Sequence, residues 1–434
     1  PDEAGIVAAA AAKVRDAEAR LREEEKGDQA PPRHQRHEAP KGELVCDGEQ
    51  TDHEIIYWRE VPGDMAYESE VTPHHDEHHK KYLTFEYDSG GWNNVRMGVE
   101  CVVVLAHATG RTLVAPPGQN LYLLGAASTN KDTGKKEKKK LGFADFFVMD
   151  RLKTQEGMHM LTMEDFLRRQ MTEVANVTKR PAKTDLWGTE LWKYMRTNSD
   201  AIPAYGGTVV AMPRANPTAA TKKADAATLG VYASGRKVSA YDAATRAARH
   251  VHIGGKGKHR VLNHFYAFGF FGDPGQRSFY RRLIRDSMRY RDEIQCAGAR
   301  VVDAARAHSR ALGFDGTFYA LHIRRGDFQF KEVKIGARAI VKNLRGHSII
   351  PKGALVYLAT DDPDGVCRGC MVNRKACPVG VKDMKGCPED PSWDGFVENG
   401  WTVTVLRNYT AALEGVNPNY FGMVDSIVCS RAAE

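Results

Sequence analysis

Three short polar segments each follow an apolar stretch that is predicted to form a strand. They occupy residues 90–96, 322–327 and 360–362. In an open parallel sheet, ligands bind at the carboxyl ends of the strands, where loops and helix N-termini converge. We therefore expect these three segments to contribute to one ligand site.

The second segment contains two adjacent guanidinium groups, Arg324 and Arg325, before Gly326 and Asp327. A guanidinium is permanently charged and binds two phosphate oxygens at once, so this pattern indicates a clamp for a diphosphate and a ligand that is a phosphate ester. The alternative is a structural ion pair from Arg325 to Asp327 that fixes the turn.

The first segment offers backbone amides at Gly90 and Gly91 and the carboxamides of Asn93 and Asn94. Paired glycines alone mostly serve tight turns. Neither G-x-x-x-x-G-K-S/T nor G-x-G-x-x-G follows, which disfavours ATP binding of the Walker type.

The elements around these segments predict an α/β fold. Alternation at 82–87, helical spacing at 97–109 and a strand at 111–115 form a βαβ unit and hence a parallel sheet. A buried strand at 262–271 and a long helix at 277–312, broken once, lead to strands at 317–323, 354–359 and 401–405, which indicate a second α/β domain. Residues 206–258 are interpreted as an irregular insertion, and residues 130–140, with six lysines, as a solvated surface loop.

Length and composition exclude several classes of protein. The chain has 434 residues, of which 42% are hydrophobic and 27% charged, as in a folded globule rather than a disordered or collagen-like chain. A net charge of +7 permits an anionic ligand but is too small to require a polyanion, and we expect no nucleic-acid partner. No run of about 18 apolar residues is present.

The eight cysteines fall into two groups. Cys367, Cys370, Cys377 and Cys387 lie in one short segment, whereas Cys46, Cys101, Cys296 and Cys429 are scattered. The cluster suits either a zinc site or two local disulfides, and the disulfides are favoured for a protein of an oxidising lumen. The acceptor triplets at Asn176 and Asn408 also favour the secretory pathway, Golgi or endoplasmic reticulum, with an anchor upstream of the chain.

Taken together, the motifs resemble those of the plant-type GDP-fucose protein O-fucosyltransferase family. The chain carries Gly-Gly-Trp-Asn-Asn-Val-Arg-Met at 90–97, His-Ile-Arg-Arg-Gly-Asp-Phe at 322–328 and Ala-Thr-Asp-Asp at 359–362. Shorter phrases at 81–86, 264–268, 293–296 and 423–425 extend the resemblance from about residue 80 to the end.

The resemblance implies a GT-B architecture with two Rossmann-like domains facing a cleft. It implies GDP-fucose as donor, inversion at the anomeric carbon, no metal, and a protein or glycan hydroxyl as acceptor. By position in the motifs, Arg324 contacts the β-phosphate, and Asn94 lies near the sugar and the acceptor. The nucleotide pocket is formed by Gly90, Gly91, Asn93, His322, Arg325, Asp327 and Asp361.

The sequence leaves the acceptor's base open among Asp327, Glu332 and a dissociative pathway without a strong base. We divide the chain into a helical stem and linker at 1–42, through which the protein would self-associate, a first Rossmann-like domain at 43–275 and a nucleotide-sugar domain at 276–434. Relatives continue beyond the segment that matches 427–432, so we expect the second domain to be truncated. A catalytically inactive binding or assembly subunit is the alternative function.

Overall fold

A computed structural model describes most of the chain from residue 44 onwards, and these residues belong to one compact unit, Leu44–Glu434. The described residues are 44–50, 81–88, 90–122, 124–125, 127–129, 136–138, 140–149, 152, 158–173, 200–201, 208–212, 218–232, 237–240, 247–254, 269–271, 274–324, 336–344, 350–363 and 393–433. The predicted stem and linker at 1–42 lie outside them, and the division into three segments stays a prediction.

The described strands are β1 Val45–Cys46, β2 Glu49–Gln50, β3 Tyr82–Phe85, β4 Thr112–Ala115, β5 Ala127–Thr129, β6 Lys136–Lys138, β7 Met160–Thr162, β8 Asp200–Ala201, β9 Thr208–Met212, β10 Lys237–Ala240, β11 His250–Ile253, β12 Gly269–Phe271, β13 Tyr319–Ile323, β14 Leu355–Thr360 and β15 Thr402–Val405. The α-helices are α1 Trp92–Ala108, α2 Met163–Glu173, α3 Ala219–Tyr232, α4 Pro274–Ser287, α5 Asp292–Ala311, α6 Ala337–Leu344, α7 Asp394–Glu398 and α8 Phe421–Cys429. Short 3-10 helices occupy Phe143–Asp145, Leu406–Leu413 and Pro418–Tyr420.

The first large sheet has the strand order β7-β4-β3-β11-β8, and all of its pairs are parallel. Every residue of β3 and β11 is buried, as expected for central strands of a sheet covered on both faces. Helix α1 packs an apolar run, which includes Val99, Val103 and Leu105, into the same core as Leu83 and Phe85 of β3.

The second large sheet has the order β13-β14-β15, again wholly parallel. Side chains of β14 alternate between two cores. Leu355 and Tyr357 pack with residues of α5 and α8, whereas Val356 and Leu358 pack with residues of α6 and α7. The α/β class and the parallel sheets that the sequence predicts are therefore confirmed, and two separate parallel sheets agree with the two Rossmann-like units of the expected architecture.

The interpretation of residues 206–258 as an irregular insertion is wrong. They contain β9, α3, β10 and β11; β9 is the middle strand of a third parallel sheet, β10-β9-β12, and β11 is paired on both sides within the first sheet. The Gly, Ala and Lys content hid these elements, because pairing with strands far away in the sequence, such as that of β11 with β3, outweighs weak local preference.

Smaller corrections concern element bounds. The lysine-rich segment 130–140 is not wholly a loop, since Lys136–Lys138 pairs antiparallel with Ala127–Thr129. Helix α1 begins at Trp92 rather than at residue 97. Asn93 and Asn94 fall in its first turn, where the backbone amides have no intrahelical partner and polar residues are therefore accommodated. Of the strand expected at 262–271, only Gly269–Phe271 lies among the described residues. The single break predicted in 277–312 is confirmed between α4 and α5.

The close packing of α5 on α8 leads to a stability prediction. A Cβ at Gly298 would lie 2.5 Å from Ile427 Cγ2, so Gly298→Ala should lower the free energy of unfolding by about 1–3 kcal/mol. The matched control is Gly230→Ala on α3, where a Cβ meets nothing within 4 Å; there we expect a gain of about 0.5–1 kcal/mol. Denaturant unfolding of both variants checks the prediction, and equal effects would contradict the packing.

Candidate functional site

The first polar segment forms a turn between β3 and α1. The amide of Gly90 donates to Asp88 Oδ1 at 2.6 Å, which fixes the turn, and the carbonyl of Gly91 accepts from the amides of Asn94 and Val95 at 2.9 and 3.2 Å. A Cβ at Gly91 would meet nothing within 4 Å, so the space in front of the helix start is open. The first backbone amides of α1 therefore face this open space, and the amino end of a helix stabilises an anion there.

The two asparagines of this segment differ in exposure. Asn93 is exposed and Asn94 is half-buried on the first turn of α1. Trp92 holds that turn in place, because its ring lies 3.9 Å from the ring of Phe146 and stacks on Phe147. The structure thus places Gly90, Gly91 and both carboxamides at one corner of the first sheet.

The second and third segments meet at the carboxyl edge of the second sheet. Strands β13 and β14 are parallel neighbours in which Ile323 faces Thr360, so the residues that follow them lie side by side. Arg324 Nε lies 3.5 Å from Asp361 Oδ2, and these two side chains are 47% and 37% exposed. His322 is exposed on the same strand. Arg324 is thus presented to solvent and not packed into the core.

The loop after β14 is held by several hydrogen bonds. The amide of Asp362 donates to Thr360 Oγ1 at 3.1 Å, Trp393 Nε1 donates to the carbonyl of Asp362 at 3.2 Å, and Arg407 donates to the carbonyl of Pro363. These contacts fix Asp361 opposite Arg324. An ion pair as exposed as this one contributes only about 0–1 kcal/mol, so exchanging the carboxylate for a diphosphate costs little.

The remaining candidates of the second segment, Arg325, Asp327 and Glu332, lie outside the described residues, as does the alternative Arg325 to Asp327 ion pair. A cavity of about 400 Å³ lies at the opposite end of β13, between Thr317, Arg310 and Arg431, and is therefore not part of this site.

Three buried polar side chains on the first sheet, Thr84, His250 and His252, are in contact, which the sequence does not predict. Thr84 Oγ1 lies 2.7 Å from His250 Nε2 and 2.9 Å from His252 Nδ1. Burial, followed by the neighbouring His252 and Arg111, lowers the pKa of His250 to about 3, so that ring is neutral at physiological pH. Both histidines fall in the segment interpreted as an irregular insertion, although the alternation His-Val-His-Ile at 250–253 is a strand signal.

The described cysteines offer no nucleophile. Cys46 and Cys296 form a disulfide across 250 residues of sequence. Burial raises the pKa of the Cys101 thiol well above its usual value, and burial together with Asp425 raises the pKa of Cys429 to about 12. Both thiols are therefore protonated at neutral pH.

The cysteine cluster, for which the sequence suits either zinc or two disulfides, lies outside the described residues with all four members, Cys367, Cys370, Cys377 and Cys387. Within the part of the chain that is described, no group of three or more His, Cys, Asp or Glu side chains is arranged to hold a metal ion. Over the same residues, no helix has both the length and the apolar character that a membrane crossing requires.

A carboxyl beneath the second sheet gives a prediction about pH. Tyr357 Oη donates to Asp425 Oδ1 at 2.5 Å, and burial raises the pKa of Asp425 to about 6. Because the folded pKa exceeds the unfolded value near 4, this carboxyl stabilises the fold fully below pH ~4, and its contribution is lost as the pH rises through about 6. As the pH rises from 4 to 8, the free energy of unfolding of Asp425→Asn should therefore rise by about 2–3 kcal/mol relative to that of the wild type. Unfolding curves across that range check this; a pH-independent difference would contradict it.

A family model for GDP-fucose protein O-fucosyltransferases matches residues 82–348. No curated protein gives a significant match. Among solved structures, the NodZ alpha-1,6-fucosyltransferase soaked with GDP-fucose is 13% identical over 82% of this chain and 87% of that chain, with a TM-score of 0.32. Fucosyltransferase NodZ from Bradyrhizobium is 12% identical over the same shares, with a TM-score of 0.32. POFUT1 in complex with GDP-fucose is 12% identical over 84% and 95%, with a TM-score of 0.32.

Proposed function

Because this chain belongs to the GDP-fucose protein O-fucosyltransferase family, we propose that it transfers fucose from GDP-fucose to a hydroxyl of a protein Ser or Thr, or of a glycan, with inversion at the anomeric carbon. The observation that carries the proposal is the solvent-facing guanidinium of Arg324 at the carboxyl edge of a parallel sheet, where ligands of such sheets bind.

Arg324 acts on the leaving group. As the bond between the anomeric carbon and the phosphate oxygen stretches, negative charge builds on the departing GDP. A cation already held in place by Asp361 and the end of β13 stabilises that charge without reorganising. In this proposal Arg324 exchanges its contact with Asp361 for the β-phosphate when the donor binds, before the bond stretches, and the guanidinium supplies the positive charge that a metal ion would otherwise supply.

The remaining residues bind and orient the donor. His322 faces solvent beside Arg324, and Asp361 and the loop after β14 border the nucleotide. The amides at the start of α1, with Asn93 and Asn94, lie at the corner of the other sheet and face the sugar and acceptor in this proposal. Arg325 and Asp327 complete the pocket by their position in the motif.

We place the protein in the lumen of the Golgi or endoplasmic reticulum. The disulfide between Cys46 and Cys296 supports this, because such bonds persist in oxidising compartments. Microscopy of the full-length protein, with luminal and cytosolic protease-protection controls, tests this localisation.

The activity is tested by incubating the protein with GDP-fucose and measuring GDP release with water or added glycoproteins as acceptor. We expect release from GDP-fucose and little from GDP-mannose, which shares the diphosphate but differs in the sugar. A protein that binds GDP-fucose weakly or releases no GDP under any of these conditions would contradict the proposed function.

A further inference from the structure

A row of polar side chains crosses the first sheet towards its carboxyl edge. Tyr82, Thr84 and Glu86 occupy every second position of the β3 segment and so share one face of it. On β11, His250 and His252 lie beside Tyr82 and Thr84. Phe166 of α2 covers the start of this row, with ring distances of 5.1 Å to Tyr82 and 5.5 Å to His250. The row therefore leads from a covered, buried end to the edge that carries the Gly90 turn.

The hydrogen bonds of this row have one consistent direction. His250 Nδ1 is buried without a hydrogen-bond partner. Since a buried N–H left unpaired is costly, the proton of this neutral ring belongs on Nε2, which donates to Thr84 Oγ1. The Thr84 hydroxyl has a single proton and so donates to His252 Nδ1. His252 then carries its own proton on Nε2, which lies 3.8 Å from Glu86 Oε1.

The far end of the row is fixed electrostatically. Arg111 is 1% exposed and donates from Nη1 to the carbonyl of Tyr82 at 3.3 Å. Burial is the largest cause of the low pKa of His250, and the charge of Arg111 adds to it, so this ring does not take up a second proton at working pH. A neutral His250 keeps the direction of the two side-chain hydrogen bonds, from His250 to Thr84 and from Thr84 to His252.

We propose that Glu86 is the group that accepts the proton of the acceptor hydroxyl, and that Thr84 and His252 are positioning residues that orient it. This inference rests on the proposed function. Glu86 is then a general base near the start of α1, where Gly91 and Asn94 lie. It takes up the acceptor's proton, whereas Arg324 stabilises the leaving diphosphate.

Asp88 is the other carboxylate at this corner, and its contacts assign it a different task. It is 6% exposed, and its Oδ1 accepts the amide of Gly90, so it holds the turn. The side chain of Glu86 is 17% exposed, which leaves its carboxylate reachable from solvent while one side faces His252. Exposure and contacts therefore favour Glu86 as the base and Asp88 as a structural cap of the turn.

The step balances without a further reactant. The hydroxyl proton moves to a Glu86 oxygen as the hydroxyl oxygen forms a bond to the anomeric carbon. On the opposite face, the bond from that carbon to the phosphate oxygen breaks, and its electron pair leaves with GDP. Water in place of the acceptor follows the same course and gives free fucose.

The test measures GDP release from GDP-fucose with water as acceptor, together with GDP binding by calorimetry. Glu86→Gln should lower the rate of release by about 100-fold or more, because a general base contributes 10²–10⁴-fold, and should leave the GDP dissociation constant within about threefold of wild type. The matched control is Glu164→Gln, an exposed glutamate of α2 paired with Arg168, which should change neither quantity.

The positioning role is tested by separating kcat from KM. His252→Phe removes the ring N–H that lies 3.8 Å from Glu86 Oε1 and orients this carboxylate, so it should lower kcat for GDP release by about tenfold and leave KM for GDP-fucose within about threefold of wild type. His252→Gln, which keeps an N–H, should restore most of kcat. Thr84→Val should act in the same direction as His252→Phe.

The outcomes separate this inference from the function itself. A wild type that binds no GDP or releases none from GDP-fucose overturns the proposed function, and this inference with it. A wild type that is active, beside a folded Glu86→Gln within fivefold of its rate, overturns the inference alone. If Glu86→Gln melts well below wild type, the His252 variants decide, and an unchanged kcat in a folded His252→Phe overturns the proposal.

Discussion

Replacing Arg324 with alanine should lower the rate of fucose transfer by about 10²–10³-fold, which is the effect of removing one preorganised donor from a developing negative charge. The structure makes this side chain well suited to a test, because it is half exposed and its ion pair with Asp361 is exposed as well, and such pairs contribute little to stability. Its loss should therefore change the melting temperature little while affecting the reaction strongly. Single-turnover rates of GDP release measure the effect.

Two further variants sharpen the result. Arg324→Lys keeps the charge but loses the second donor that a diphosphate uses, so we expect an intermediate rate. Arg338→Ala is the matched control, since Arg338 on α6 is also exposed and also forms a carboxylate pair, with Glu398 at 2.6 Å. An Arg324→Ala rate no lower than that of Arg338→Ala would contradict the role given to Arg324.

Removing the Cys46–Cys296 disulfide should cost about 2–5 kcal/mol of unfolding free energy, at the upper end because the bond closes a loop of 250 residues. The bond attaches the β1–β2 hairpin to α5. Arg300 of the same helix adds to the attachment, since it donates to both carboxylate oxygens of Asp47 at 3.1 and 3.3 Å. The double variant Cys46→Ser, Cys296→Ser, unfolded in denaturant beside wild type, measures the cost.

A reductant supplies the internal control for this prediction. Dithiothreitol should lower the stability of the wild type towards that of the double variant and leave the double variant unchanged. A wild type equally stable with and without reductant, although its thiols are shown to be reduced, would contradict a stabilising bond.

The sequence predicts local elements well where apolar stretches are continuous. Strands β3, β4, β13, β14 and β15 lie within two residues of their predicted positions, because each is a mainly apolar or β-branched run ended by a polar segment. The meeting of Arg324 with Asp361 also follows from the sequence, since adjacent parallel strands end at the same edge.

Long-range pairings could not be predicted in the same way. Strand β11 pairs with β3 although about 170 residues separate them, and only that pairing brings His250 and His252 against Thr84. The composition of 206–258 carries no signal for it. Glu86 therefore appeared in the sequence only as part of a family phrase, and its partner His252 is visible in the fold alone.

The same reason applies to the cysteines. Cys46 and Cys296 each stand alone in the sequence, and no spacing rule joins residues so far apart. Their bond depends on the hairpin lying against α5, which is a tertiary contact.

The role proposed for Arg324 is to bind the diphosphate of a sugar nucleotide, and calorimetric titration of GDP into the full chain and into Arg324→Ala measures it. We expect micromolar binding by the wild type and binding weaker by about 10–100-fold in the variant, because one charge-assisted contact to phosphate is lost. Equal GDP affinity in the two proteins would contradict it.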